Sequence, residues 1–258
     1  MGNNLGFYIG NFFVAYYGLF IAAGIILASF VGWYQVRRYS KDLNDFIIIA
    51  AAAGLLGVIG AKLLYIVVSF REIDFSRILE VEYISAVMAG GFVFYGGLIG
   101  GLLGLWICYK LLKLDVTAYV RIAIPCLPIV HAFGRFGCSV VGCCYGMQYN
   151  GLGKIMYDHS LFAPNHVYLF PIQLTEAVGN LLIAAILLYY INQKGGKKGL
   201  ELYLLLYGIL RFILEFFRGD ARRGLFFGLS TSQYISLAIL LGLLFWNRWG
   251  NSSGSQKG

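Results

Sequence analysis

Long apolar runs recur from Phe12 to Trp246, separated only by short polar connections. A bilayer core about 30 Å thick is crossed by roughly 20 apolar helical residues, and no soluble fold needs so many runs of that length. With 59% hydrophobic and only 12% charged residues, the chain lacks the polar surface that keeps a soluble domain in solution. The expected fold class is therefore an all-α membrane protein, a single polytopic domain over residues 1–258. The net charge of +8 is spread in small groups between apolar runs, so it reads as a topology signal and no nucleic-acid partner is expected.

About seven segments are long enough to span: Phe12 to Tyr34, Phe46 to Phe70, Ile84 to Leu112, Ala118 to Val141, Pro171 to Ile191, Leu200 to Phe217 and Leu229 to Trp246. The fourth carries Pro125 and Pro128, which remove backbone donors and predict a bend. The first segment follows no basic region and no cleavage signal, so it is expected to stay in the protein. Arg37, Arg38 and Lys41, then Lys110 and Lys113, then Lys194, Lys197 and Lys198, and finally Arg248 and Lys257 mark cytoplasmic connections. The amino terminus is then outside and the carboxyl terminus cytoplasmic. Arg218, Arg222 and Arg223 break that rule: they are either a tolerated exception or cations that meet anionic headgroups. The longest connection, residues 142–170, faces outward.

Charged residues at membrane depth point to an interior site, because each costs at least about 2.5–3.5 kcal/mol in lipid unless paired or hydrated. Lys62, Arg135, Glu176, Arg211 and Glu215 are the ones concerned. Internal ion pairs alone are one explanation; a phosphate site is the other. Arg135 and Arg211 suit the second, since a guanidinium binds two phosphate oxygens at once. Glycines Gly97, Gly101 and Gly104 are spaced for close helix packing, the reading preferred over ligand contact.

In those residues and the blocks around them, the sequence resembles the prolipoprotein diacylglyceryl transferase family. The blocks are YGL from Tyr17 to Leu19, GVIGAKLLY from Gly57 to Tyr65, GGFVFYGGLIGG from Gly90 to Gly101, GRFGCSVVGCCYG from Gly134 to Gly146, FPIQLTE from Phe170 to Glu176, YGILRFILEFFR from Tyr207 to Arg218, and STSQYISL near the end. The resemblance implies a multi-pass enzyme of the bacterial cytoplasmic membrane. It would transfer the diacylglyceryl group of phosphatidylglycerol, or a related anionic phospholipid, to the lipobox cysteine in a prolipoprotein signal peptide, releasing glycerol phosphate. By the same resemblance, Arg135 and Gly146 match the family's GRxGN signature, Arg211 and Glu215 the YGxxRFxxE block, and Tyr17 its first tyrosine; Lys62 stands where an arginine is usual.

Three departures fall in the implied site. Tyr95 replaces the histidine of the HGGL block, Cys138 the asparagine of the signature and Cys143 its glutamate. His131, four residues before Arg135 and on the same helical face, is the candidate substitute base, with a hydrogen-bonded structural role as its alternative. A phenol titrating near about 10 suits that task less well. Cys138, Cys143 and Cys144 with His131 also raise a metal reading, but they lack a paired CxxC spacing, so neither metal nor cofactor is expected. The candidate catalytic residues are Arg135, Arg211, Tyr95 and His131. The candidate substrate-binding residues are Tyr17, Lys62, Gly97, Cys138, Cys143, Gly146, Gln173, Glu176, Tyr207 and Glu215. Two alternatives stay open: a family member with another acceptor or glycerolipid, and a non-catalytic lipid-binding or transport protein on the same fold.

Overall fold

The computed structural model describes residues 5–10, 12–74, 77, 80, 82–84, 87, 90–220 and 225–254. The chain is mostly helical, with helices α1 (Tyr16–Arg38), α2 (Leu43–Val68), α3 (Phe94–Lys110), α4 (Val116–Ala123), α5 (Cys126–Val141), α6 (Ile172–Lys194), α7 (Gly199–Leu214) and α8 (Thr231–Gly254). Three of these, α1, α2 and α6, are long and apolar enough to cross a membrane, and α4 with α5 makes a fourth if the bent pair is one span. Their outward faces stay apolar, with Ile26, Val68 and Leu182 all exposed. Such surface suits lipid rather than water.

The break between α4 and α5 is a bend of 51° at the residues before Pro125 and Cys126. This is the bend expected from the prolines, since Pro125 has no amide hydrogen for the ladder and sits just before α5. Two antiparallel hairpins depart from the all-α expectation. The strand Gly6–Ile9 (β1) pairs with Phe12–Ala15 (β2), and Leu225–Phe226 (β3) pairs with Leu229–Ser230 (β4).

The chain packs as two compact units, Val36–Val120 and Met1–Gln35 with Arg121–Gly258. In the first, α2 begins at Asp42, whose carboxylate accepts from the amides of Asn44 at 2.6 Å and Asp45 at 3.3 Å and so caps the helix. α2 lies against α3 with backbone on backbone. A Cβ at Gly104 would come within 2.6 Å of Ala52 O, while one at Gly60, Gly96 or Gly100 would collide with a main-chain oxygen of the facing helix. The close stripe is therefore Gly96, Gly100 and Gly104, one residue away from the Gly97 and Gly101 expected from spacing. At those two a Cβ would find ordinary contact, 3.5 Å from Ala61 Cβ and 3.6 Å from Ala53 O.

α3 starts at Phe94, ten positions later than the apolar run from Ile84 suggested. The amine of Lys62, buried on α2, ties down the segment before Phe94 by donating to the carbonyls of Val87 at 2.9 Å, Gly90 at 3.1 Å and Gly91 at 3.4 Å.

In the second unit α5 packs on α6, α6 on α7 and α7 on α8. α1 crosses α5 closely: a Cβ on Gly137 would stand 2.8 Å from Tyr17 Cδ2, and one on Gly134 3.3 Å from Ile21 Cδ1. The long connection between α5 and α6 is folded around Tyr157, Ala163 and Leu169, with bridges from Leu169 to Gln148 and Ile155 and from Tyr157 to Asn165.

Candidate functional site

α5 places His131 and Arg135 one turn apart, and both reach one atom. Oε1 of Glu176, in the first turns of α6, lies 3.1 Å from Arg135 Nη2 and 3.4 Å from His131 Nε2. Glu176 is buried at 1% exposure, so its charge depends on these two partners. Asn180, one turn further along α6, donates to the Glu176 carbonyl at 2.8 Å. The imidazole also faces the Tyr207 ring of α7, with centroids 5.2 Å apart. The shared helical face expected for His131 and Arg135 is thus present.

On α7 Arg211 forms an ion pair with Glu215, the i,i+4 pair the sequence allowed. Its Nη2 donates to Ser232 Oγ of α8 at 3.0 Å. Both Arg135 and Arg211 lie within electrostatic reach of Glu176 and of Tyr207, so the two guanidiniums belong to one charged cluster. Each side chain keeps 14% of its surface exposed. The clamp expected from sequence carries a carboxylate on each arm, and a guanidinium with five donors keeps further N–H groups for another anion. Tyr17 lies with its ring over Gly137, two residues past Arg135.

Beyond α5 the chain reverses at Gly142, which has φ 84°, and again at Cys144, with φ 54°. The reversal returns Cys143 and Cys144 toward Cys138, and the three sulfurs lie within 4.8 Å of one another. Hydrogen bonds from the thiols of Cys138 and Cys143 hold the Cys144 thiol well below its ordinary range, with Arg135 and Arg218 adding to the effect. Gln173 secures the segment by donating to Cys143 O at 2.9 Å. Gly146 bridges Arg218, and a Cβ there would stand 3.0 Å from Phe170 Cβ, so close packing explains this glycine.

Lys62, Tyr95 and Gly97 belong to the other unit. Lys62 donates its amine to the three carbonyls already described, which braces the segment before α3. Gly97 packs near α2, and Tyr95 is half-exposed at the start of α3 with its ring edge-on to Phe94 at 5.7 Å. Sequence reasoning missed Asn180 and Ser232, neutral residues whose role shows only through the partners they meet. It read Arg218 as a surface cation, whereas its guanidinium is held by Asp220 at 2.6 and 2.9 Å and lies in the electrostatic reach of Cys144. Arg222 and Arg223 lie outside the described residues.

A family model described as prolipoprotein diacylglyceryl transferase matches residues 4–248. The chain belongs to that family. It is 36% identical over 236 residues to the phosphatidylglycerol–prolipoprotein diacylglyceryl transferase of Clostridium tetani, covering 90% of this chain and 91% of the relative. It is similar to a second such enzyme of Clostridium perfringens, at 34% identity over 90% of this chain and 89% of that one. The enzyme of the same name from Streptococcus uberis is 33% identical over 92% of this chain and 91% of its own length. As a member of this family of membrane transferases, the chain carries Arg135 and Glu176 within the GRFG and FPIQLTE segments that the resemblance singled out, with His131 three residues before the first.

Proposed function

We propose that this transferase moves the diacylglyceryl group of phosphatidylglycerol onto the cysteine thiol of a prolipoprotein, and that Arg135 and Arg211 hold the lipid phosphate during the step. The carrying observation is the cluster of two arginines around Glu176 and Tyr207 between apolar helices. Glu176 and Glu215 bring the cluster close to neutrality, which lowers the cost of keeping two guanidiniums in such surroundings.

In this reading the acceptor thiol gives its proton to His131, and the thiolate attacks the glycerol carbon bonded to phosphate. A sulfur–carbon bond forms as the carbon–oxygen bond breaks. Glycerol phosphate leaves with the electron pair, and the guanidinium N–H groups stabilise the charge it gathers. Glu176, 3.4 Å from Nε2, orients the imidazole. Tyr17 positions the headgroup, and the folded outer connection admits the lipobox segment of the signal peptide. The finer topology belongs to the same proposal: seven spans, the amino terminus outside, in the bacterial cytoplasmic membrane.

The test is transfer of acyl-labelled phosphatidylglycerol to a lipobox peptide in proteoliposomes. Arg135→Gln and Arg211→Gln should each lower the rate by about 10²–10³, as loss of a charge-stabilising donor does. Full activity in either variant would sink the clamp, and bound lipid without turnover in the unaltered protein would instead support a lipid carrier.

A further inference from the structure

The chemical step proposed above forms and breaks no bond at Cys138, Cys143 or Cys144, and these three thiols form the densest group of soft donors among the described residues. All five cysteines of the chain are free, and these three sulfurs share a sphere in which every pair lies within 4.8 Å. Tetrahedral or trigonal thiolate sites with metal–sulfur bonds of about 2.3 Å place their sulfurs just under 4 Å apart, so the group is near that spacing. Three donors also fit a metal better than a disulfide. Any one disulfide leaves a thiol over, and a bridge between the neighbours Cys143 and Cys144 is sterically unfavourable.

The backbone is arranged to keep this geometry. Cys144 adopts φ 54° although it is not glycine, a conformation uncommon outside constrained sites. Gly142 at φ 84° turns the chain back over the last turn of α5. On the far side Gly219 N donates to Tyr145 O at 3.0 Å and Met147 N to Phe217 O at 2.8 Å, so the segment carrying the thiols is tied down at both ends. The charge is suitable too: Arg135 and Arg218 lie in electrostatic reach of Cys144, and Arg135 of Cys138. A dication with three thiolates carries one net negative charge, and these cations offset it.

We infer that Cys138, Cys143 and Cys144 form a binding site for a thiophilic d10 metal ion, Zn2+ or Cu+, beside Arg135. Binding forms three sulfur–metal bonds in place of whatever thiol protons remain, and those protons pass to solvent. For Zn2+ a fourth position is left to water; Cu+ is satisfied by the three sulfurs alone. Neither ion changes oxidation state. The site is independent of the lipid-transfer reading, because occupancy is read without turnover.

The full chain, purified in detergent under reductant and stripped with chelator, is titrated with Cd2+ as the spectroscopic probe. Sulfur-to-metal charge-transfer absorbance should rise to an end point of about one ion per chain and be displaced by Zn2+ or Cu+. Cys138→Ser and Cys144→Ser should lose it, while Cys108→Ala and Cys126→Ala keep it, with helical circular dichroism checking that each variant folds. As a second measurement, Zn2+ should shield the three thiols from maleimide in the unaltered protein. An absent end point, equal binding by the Cys138→Ser variant, or a disulfide among the three in protein alkylated directly from membranes would overturn the site.

Discussion

The Tyr157 hydroxyl donates 2.8 Å to the main-chain carbonyl of Ser139, fastening the folded connection between α5 and α6 to the last turn of α5. That turn also carries Cys138, and the same helix carries Arg135, so the bond links the loop to the charged cluster. Tyr157→Phe should leave the Ser139 carbonyl without this donor and destabilise the protein by about 1–3 kcal/mol. The melting temperature in detergent measures it, and an unchanged value would refute the link.

Burial pushes the Tyr157 phenol up from 10.0 to about 12. A raised folded value means that the folded state keeps its proton where the unfolded chain has lost it. The stabilisation is complete below pH 10.0 and falls as pH rises toward about 12. The Tyr157→Phe protein should lack this component of alkaline loss, and melting curves of both proteins across that window compare them.

Glu176→Gln removes the charge shared by Arg135 and His131 while keeping the side-chain shape. Leaving the buried Arg135 guanidinium without its carboxylate should cost about 3–5 kcal/mol, larger than any surface change. Thermal melting reads the stability, and a drop under 1 kcal/mol would show that the cluster is not held by this ion pair.

His131→Ala should lower peptide lipidation by about 10²–10⁴, the usual contribution of a positioned base, whereas Tyr95→Phe should have a smaller effect. If the order is reversed, the phenol is the base.

Gly100→Ala places a methyl against the Leu56 carbonyl and should force α2 and α3 apart, costing about 1–3 kcal/mol. Gly54→Ala adds its methyl to open space and should be neutral or stabilising by up to about 1 kcal/mol. Melting temperatures of the pair separate packing from helix propensity.

Much of the architecture was legible because lipid imposes long apolar helices, and Pro125 announced its bend through a missing amide. The His131–Arg135 face was legible from one turn of spacing, but their common partner Glu176 is more than forty positions downstream and only the fold could supply it. The run from Gly6 to Ala15 is as apolar as the helix after it, so its hairpin left no mark in hydropathy. The start of α3 was hidden for the same reason, since the residues just before Phe94 are apolar as well. The glycine stripe was misplaced by one residue because crowded glycines at adjacent positions give two registers with equal spacing. Only the facing helix chooses between them.

Along α2 and α3 main chain rests on main chain, with no layer of pliable side chains to absorb sliding or tilting. Such a pair behaves as a stiff blade: a small rotation meets a carbonyl at once, whereas a leucine seam yields by changing rotamers. Whatever shape changes accompany the arrival of a bulky lipidated product must be taken up elsewhere in the chain.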